Sequence, residues 1–253
     1  MPPIRRTGSL GIRVLYAVFV AFAAAGCAAS ARRSARPAAA DFFPLTPGSY
    51  REYLVTRRAD GTSMRFTTVV RPTEFRGPNG LPCRIVDERY GERPADAPTP
   101  IVYCTDGGYL HRVMSLEYRG ESLEDNGTRS AELRFLPINL AATPAWESRT
   151  NAYRLADGSG FEVLQVHQVS LQPDPVEVRA GRFDRCARVE TTAIHSATSS
   201  DGATSGSRLV YYYSDWYAPG VGLIRSEQRS AAAEVLVTVE LQDFRIDQDA
   251  SGR

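Results

Sequence analysis

Lysine is absent from this 253-residue chain, and all 30 of its basic residues other than histidine are arginine. That removes Schiff-base chemistry and the phosphate-gripping lysine of a P-loop from the candidate mechanisms. Histidine is nearly as scarce. His111, His167 and His195 are far apart and lack the i, i+4 spacing of a helical zinc site. Neither a metal nor a cofactor is expected. A Gly-x-Ser-x-Gly elbow is missing too: Gly158-Ser159-Gly160 is too short for one and reads as a hairpin turn. Charge of neither sign is in excess. With a formal net charge of +1, the chain has no nucleic-acid footprint and no acidic interaction surface. The longest apolar run, Val14 to Ala25, is well short of the roughly 20 residues that cross a bilayer as a helix, which argues against a permanent transmembrane anchor.

What is present begins with an address. Arg5, Arg6 and Arg13 supply positive charge, the apolar run follows, and small residues lead into Cys27, the layout of an export signal. Thr7-Gly8-Ser9 after Arg5-Arg6 lacks the apolar residue of a twin-arginine signal. Ala24-Ala25-Gly26-Cys27 resembles the bacterial lipobox, departing from it at Ala24, where leucine is commonest. The resemblance implies a signal peptide over 1–26, a diacylglycerol thioether on Cys27, an acylated amine and a membrane as partner. Several acyl chains at roughly 0.8 kcal/mol per buried CH₂ make such an anchor durable. Ala28, where a retention signal would have aspartate, implies the outer membrane, facing the periplasm. Residues 27–40 read as a flexible tether without a periodic apolar face.

Residues 41–246 read as an all-β domain, with 247–253 a polar tail. Segments 49–58, 63–71, 81–90, 100–105 and 109–119 are rich in Val, Ile, Thr, Tyr and Phe and are separated by turn residues. Asp60-Gly61 and Asp106-Gly107 offer pairs that tolerate positive φ. Further strands are expected near 145–155, 161–171, 182–195, 207–217, 222–230 and 234–246. Residues 196–206 should be an exposed hairpin tip; no window shows a convincing amphipathic helix, and Ser130 to Leu140 has room for at most a short helical turn before or around Pro137. The plan recurs in order. Phe and Pro precede a strand ending in Ala-Asp-Gly at 42–61 and again at 134–158; "CRIVDE" from Cys83 is echoed by "CARVET" from Cys186; Gly108-Tyr109-Leu110 is echoed by Gly222-Leu223-Ile224. The expectation is an antiparallel meander in two similar halves, 41–130 and 131–246, forming a curved sheet or half-open barrel.

"FPLTPGSYREY", "AGRFDRCARV" and "YAPGVGLIRSE" resemble a group of uncharacterised bacterial envelope lipoproteins with an FPLxxGxxWxY start and a YAPGVGLV-type hairpin. Tyr50 stands where that group has tryptophan, and "NLAATPAW" where a second Gly-x-x-W is usual. The resemblance implies a curved antiparallel sheet akin to the half-open barrels of lipoprotein carriers such as LolA. It implies no activity.

The richest aromatic stretch is "YYYSDWYAPG" at 211–220. Tyr211 and Tyr213 should share one strand face and Tyr212 the other. Tyr211, Tyr213, Trp216 and Tyr217 are the candidates for a ring-lined surface that takes an acyl chain or a sugar; cross-strand packing is the competing explanation. Glu117, Glu121, Glu124 and Asp125 form a charged stretch suited to a solvated edge rather than a glycosidase pair. Asn126-Gly127-Thr128 reads as a turn. Three cysteines remain after Cys27. If 81–90 and 99–105 form a hairpin centred between Arg93 and Pro94, Cys83 faces Cys104, and a disulfide between them leaves Cys186 a buried free thiol. Two functions stay open: a membrane-anchored, non-enzymatic binding or scaffold module for a lipid, acyl chain or envelope protein, and an envelope hydrolase of glycan or peptide with carboxylates from separate strands.

Overall fold

Alternation of side chains is visible from the first strand, β1 (Tyr50–Arg57), where Arg51 and Tyr53 are buried between more accessible neighbours. The structure is a computed structural model that describes residues 42–77, 80–91, 98–113, 116–119, 122–125, 133–140, 143–154, 160–172, 174–198 and 204–247. All of these fall in one compact unit, Arg36–Arg253. Cys27 and the signal and tether segments lie outside the described residues.

After β1 come β2 (Ser63–Arg76), β3 (Pro82–Tyr90), β4 (Thr99–Thr105), β5 (Tyr109–Val113), the small hairpin β6 (Leu116–Arg119) and β7 (Ser122–Asp125), and β8 (Leu133–Pro137). The second half holds β9 (Ala145–Arg154), β10 (Gly160–Leu171), the short hairpin β11 (Val176–Val178) and β12 (Gly181–Phe183), then β13 (Ala187–Thr198), β14 (Thr204–Ala218), β15 (Gly222–Arg229) and β16 (Val235–Arg245). Twelve of these strands form one antiparallel sheet in the order β8-β5-β4-β3-β2-β1-β16-β15-β14-β13-β10-β9. Setting aside the two small hairpins, each strand pairs with its neighbours in the chain except at the β8–β9 junction, and β16 returns to pair with β1 from Tyr50↔Arg245 to Arg57↔Val237. The outcome is an up-and-down barrel, nearly closed, whose two ends β8 and β9 are joined by no ladder among the described residues.

The halves are six strands each, and the echoes fall at matching ordinal positions. Cys83 lies in the third strand of its half and Cys186 immediately precedes the third of the other; Tyr109 and Gly222 each open a fifth. Two expectations need correction. Ser130 to Leu140 holds no described helical turn. Leu133–Pro137 is instead an edge strand paired with β5, ending on Pro137, whose missing N–H an edge tolerates. The first half therefore runs through β8, past residue 130. The β11–β12 hairpin was not anticipated, its strands being three residues long.

Across the barrel, Val70, Val86 and Tyr103 of the first half meet Ala187, Val189 and Tyr217 of the second in one core. Phe42 to Leu45 fold into the end of this interior, Phe42 being fully buried. On the outer side of β3 and β4, Cys83 stands opposite Cys104 with Cα atoms 4.1 Å apart, and the two are joined in a disulfide. Gly77 lies over it so closely that a Cβ there would collide with Cys83 Sγ. Cys186 is free and buried, and burial raises its thiol pKa.

Candidate functional site

The two stretches that carry the family resemblance meet in space. Arg51 is 4 % exposed, and its guanidinium has no carboxylate within ion-pair distance among the described residues. Its Nε donates to Val221 O at 2.6 Å and its Nη2 to Pro44 O at 2.8 Å. Tyr53 donates its hydroxyl to Leu223 O at 3.1 Å. "FPLTPGSYREY" is thereby fastened to "YAPGVGL" through backbone carbonyls. Gly222, at φ +108°, leaves the guanidinium room, since a Cβ there would stand 3.1 Å from Arg51 Nε. Burial lowers the Arg51 pKa, yet arginine stays charged, and its donors answer carbonyls that have left the ladder. The motifs form a lock in the floor of the barrel.

β14 distributes its aromatic stretch over two faces. Its pairing with β13 sets Tyr213 opposite Thr191 and Tyr217 opposite Ala187, so Tyr211, Tyr213, Asp215 and Tyr217 face the interior. Trp216 falls on the opposite, outer face, where the guanidinium carbons of Arg188 and Arg225 lie 5.1 and 5.3 Å from its ring centroid. The four candidate rings therefore do not form one wall. Tyr217 is 4 % exposed and meets Phe135 edge-on at 6.4 Å; Tyr211 meets His195 edge-on at 5.4 Å. Between Tyr213 and Tyr217, burial pushes the Asp215 carboxyl up to about 6 against the opposing hydrogen bond from Ser226. Glu88, also interior, has its pKa raised by desolvation, partly countered by Arg112 and by the Tyr90 hydroxyl.

The histidines are separate. His111 Nε2 lies 2.8 Å from Asp106 Oδ2. His167 is stacked on Trp146 at 4.4 Å and contacts Ser148 Oγ at 3.0 Å and Thr191 Oγ1 at 2.8 Å. That chain resembles a nucleophile and its base only in outline: Ser148, His167 and Thr191 are all buried, and burial depresses the His167 pKa to about 4. Its polar groups satisfy one another inside the wall. Among the described residues no group of three metal-ligating side chains converges. Glu121 lies outside the described residues, as do the side chains of Glu117, Glu124 and Asp125.

An apolar pocket of about 200 Å³ opens at the barrel end where the N-terminal segment enters. Phe43, Leu45, Tyr103, Leu110 and Ile138 line it, and Arg84, which donates to Glu74 Oε2 at 2.6 Å, sits at its polar side. Nothing in the local sequence announces this pocket, because its walls come from six separate segments.

Comparison with solved structures supports the architecture. The chain is similar to a candidate lipoprotein from Parabacteroides distasonis, with a TM-score of 0.50 and 17 % identity over 81 % of this chain and 98 % of that one. A candidate exported protein with a YmcC-like fold from Bacteroides fragilis aligns with a TM-score of 0.44 and 16 % identity over 81 % and 99 %. At these identities the first likeness establishes the fold alone. No family model and no curated protein matches the chain.

Proposed function

We propose that the protein is a lipid-anchored module of the bacterial envelope that holds an acyl chain without chemical turnover, in the apolar pocket at the barrel end. The observation that carries this reading is the pocket's lining together with its place in the chain. Phe43 and Leu45 belong to the segment that follows the tether directly. With Cys27 lipidated, the fifteen residues from Cys27 to Phe42 span at most about 50 Å, so the pocket stays close to the bilayer that supplies the chain. Ala28 favours the outer membrane, with the barrel in the periplasm.

Mass spectrometry of lipids released from the purified full chain tests the reading. Wild type should carry acyl lipid in stoichiometric amount, and Ile138→Asp, which puts a charge against the core and lowers the thermal midpoint, should lose it while keeping the wild-type β-sheet circular dichroism. Equal lipid content in both would overturn the pocket assignment. Anchoring is read independently: Cys27→Ser should move the protein from the membrane fraction to the soluble one and abolish the lipid mass shift, and unchanged fractionation would refute the anchor.

A further inference from the structure

The outer wall of the second half carries a second concavity, distinct from the apolar pocket. Its volume is about 390 Å³, within the range of small-ligand sites. Two cross-strand rows form its floor: Val166, Thr192, Tyr212 and Arg229 in one, Gln168, Glu190 and Ser214 in the next. The turn after β15 forms its lip. The β14–β15 ladder stops at Tyr212↔Arg229, and residues Ser230 to Glu234 close on themselves through Ser230 N–H to Glu234 O and Ala233 N–H to Ser230 O, both 2.9 Å. Ala233 adopts φ +62°, a left-handed conformation that is unfavourable for a residue with a Cβ. The lip is thus built of small side chains in a fixed, strained shape, and Ala231 and Ala233 leave the cavity open where larger residues would fill it.

The lining has a chemical signature. The Gln168 amide and the hydroxyls of Thr192, Tyr212 and Ser214 both donate and accept hydrogen bonds, as hydroxyl groups of a ligand require. Tyr212 is 41 % exposed and offers a ring face beside them. Of the charged residues only Glu190 and Arg229 line the groove itself; further along the same wall Arg188 binds Glu190, and Arg225 and Arg229 both bind Glu227, so the wall around the groove has three arginines to two glutamates. Arg229 lines the groove with its side chain still 35 % exposed, and it shares the single Glu227 carboxylate with Arg225. Two guanidinium groups on one carboxylate leave positive charge over for an acidic group from outside. We infer that this groove binds an acidic glycan unit, its sugar ring against Tyr212, its hydroxyls on Gln168 and Thr192, and its carboxylate or phosphate on Arg229.

The test uses the full chain in detergent with tetragalacturonate as acidic probe and maltotetraose as neutral probe, read by saturation-transfer NMR and titration calorimetry. Tetragalacturonate should bind more tightly than maltotetraose. Tyr212→Ala should weaken binding at least about tenfold, and Arg229→Gln should erase the preference for the acidic probe. Gln168→Ala, at an exposed position that cannot unfold the wall, should weaken both probes. The Ile138→Asp variant should bind them as wild type does, which separates this site from the acyl-chain pocket. Absence of saturation transfer from both probes at millimolar concentration, or wild-type binding by Tyr212→Ala and Gln168→Ala, would overturn the assignment.

Discussion

The barrel has two seams where its halves meet, and they are built differently. Between β16 and β1 the seam is a continuous antiparallel ladder, and Arg51 and Tyr53 reach from β1 to the carbonyls of Val221 and Leu223 at the start of β15. Between β8 and β9 no ladder forms among the described residues; there the Trp146 indole donates to Arg134 O at 3.1 Å. One seam uses backbone pairing plus a buried cation; at the other the indole of Trp146 bridges the strands. An edge left unladdered has the lower local stability, so opening of the wall should begin at β8 and β9 and global unfolding should wait on the Arg51 lock.

Removing the lock should have the largest effect. Arg51→Ala strands two carbonyls, each costing roughly 1–3 kcal/mol when buried and unpaired, and leaves a void, for a total of about 4 kcal/mol. Urea unfolding measures it; a loss below about 1 kcal/mol would show that water replaces the guanidinium and that the closed seam does not depend on it. Arg51→Lys should recover little, because an ammonium does not reproduce the two-pronged donor. Next comes the disulfide, which lies on the outer wall away from both seams. With its cysteines separated by 21 positions in the chain, removing it as Cys83→Ser/Cys104→Ser should cost about 3 kcal/mol. Gly77→Ala should destabilise the oxidised protein and do less harm in the double-serine background, since the bridged sulfur a Cβ would strike is then a smaller hydroxyl oxygen free to turn away. Equal costs in both backgrounds would mean the glycine serves its turn and not the sulfur.

Much of this was legible in the sequence, and the reasons differ by element. Long strands declare themselves through alternation, so ten of the expected segments lie within a few residues of β1 to β5, β9, β10 and β14 to β16. The facing of Cys83 and Cys104 followed from hairpin symmetry alone, and the register has them paired. The ordered echoes correspond to six strands in each half. β8 escaped notice because five residues ending in proline at a sheet edge have little pattern of their own. Trp216 was grouped with Tyr211 and Tyr213 by its chemistry, although strand periodicity alone puts it on the other face. Arg51 and the groove were illegible for a different reason. Their partners, Val221 for the one and the turn at Ser230 to Ala233 for the other, are brought near by closure of the barrel, which no local window contains.

The two sides of the interior should also answer pH in opposite directions. His167, stacked on Trp146 at the open seam, has its pKa depressed to about 4, so the unfolded chain binds the extra proton, and stability is lost as pH falls from about 6.5 toward 4. Asp215 pairs with Ser226 of β15 toward the closed seam, and its pKa is raised to about 6. There the folded chain holds the extra proton, and stability is lost as pH rises from about 4 to 6. In wild type the two slopes oppose each other between these values. Asp215→Asn should therefore reveal stability that rises with pH, and His167→Gln stability that falls, each by about 2 kcal/mol across the window. Urea midpoints taken from pH 4 to 7 decide it, and parallel curves for the two variants would show that neither group titrates in its folded environment.

The smallest effect should come from the open seam itself. Trp146 is 6 % exposed and performs two tasks, stacking on His167 and donating to Arg134 O. Trp146→Phe keeps an aromatic ring for the stack and removes the donor, so it isolates the bridge. Losing one neutral hydrogen bond should lower global stability by about 1 kcal/mol. The local consequence should be larger than that figure suggests, because among the described residues no backbone ladder stands behind the indole. Amide hydrogen exchange should speed up in β8 and β9, while the amides of β1 and β16 keep their wild-type protection apart from the small global shift. If β1 and β16 lost protection in step with β8 and β9, the wall would open as one unit, and the contrast between the two seams would be one of geometry and not of stability.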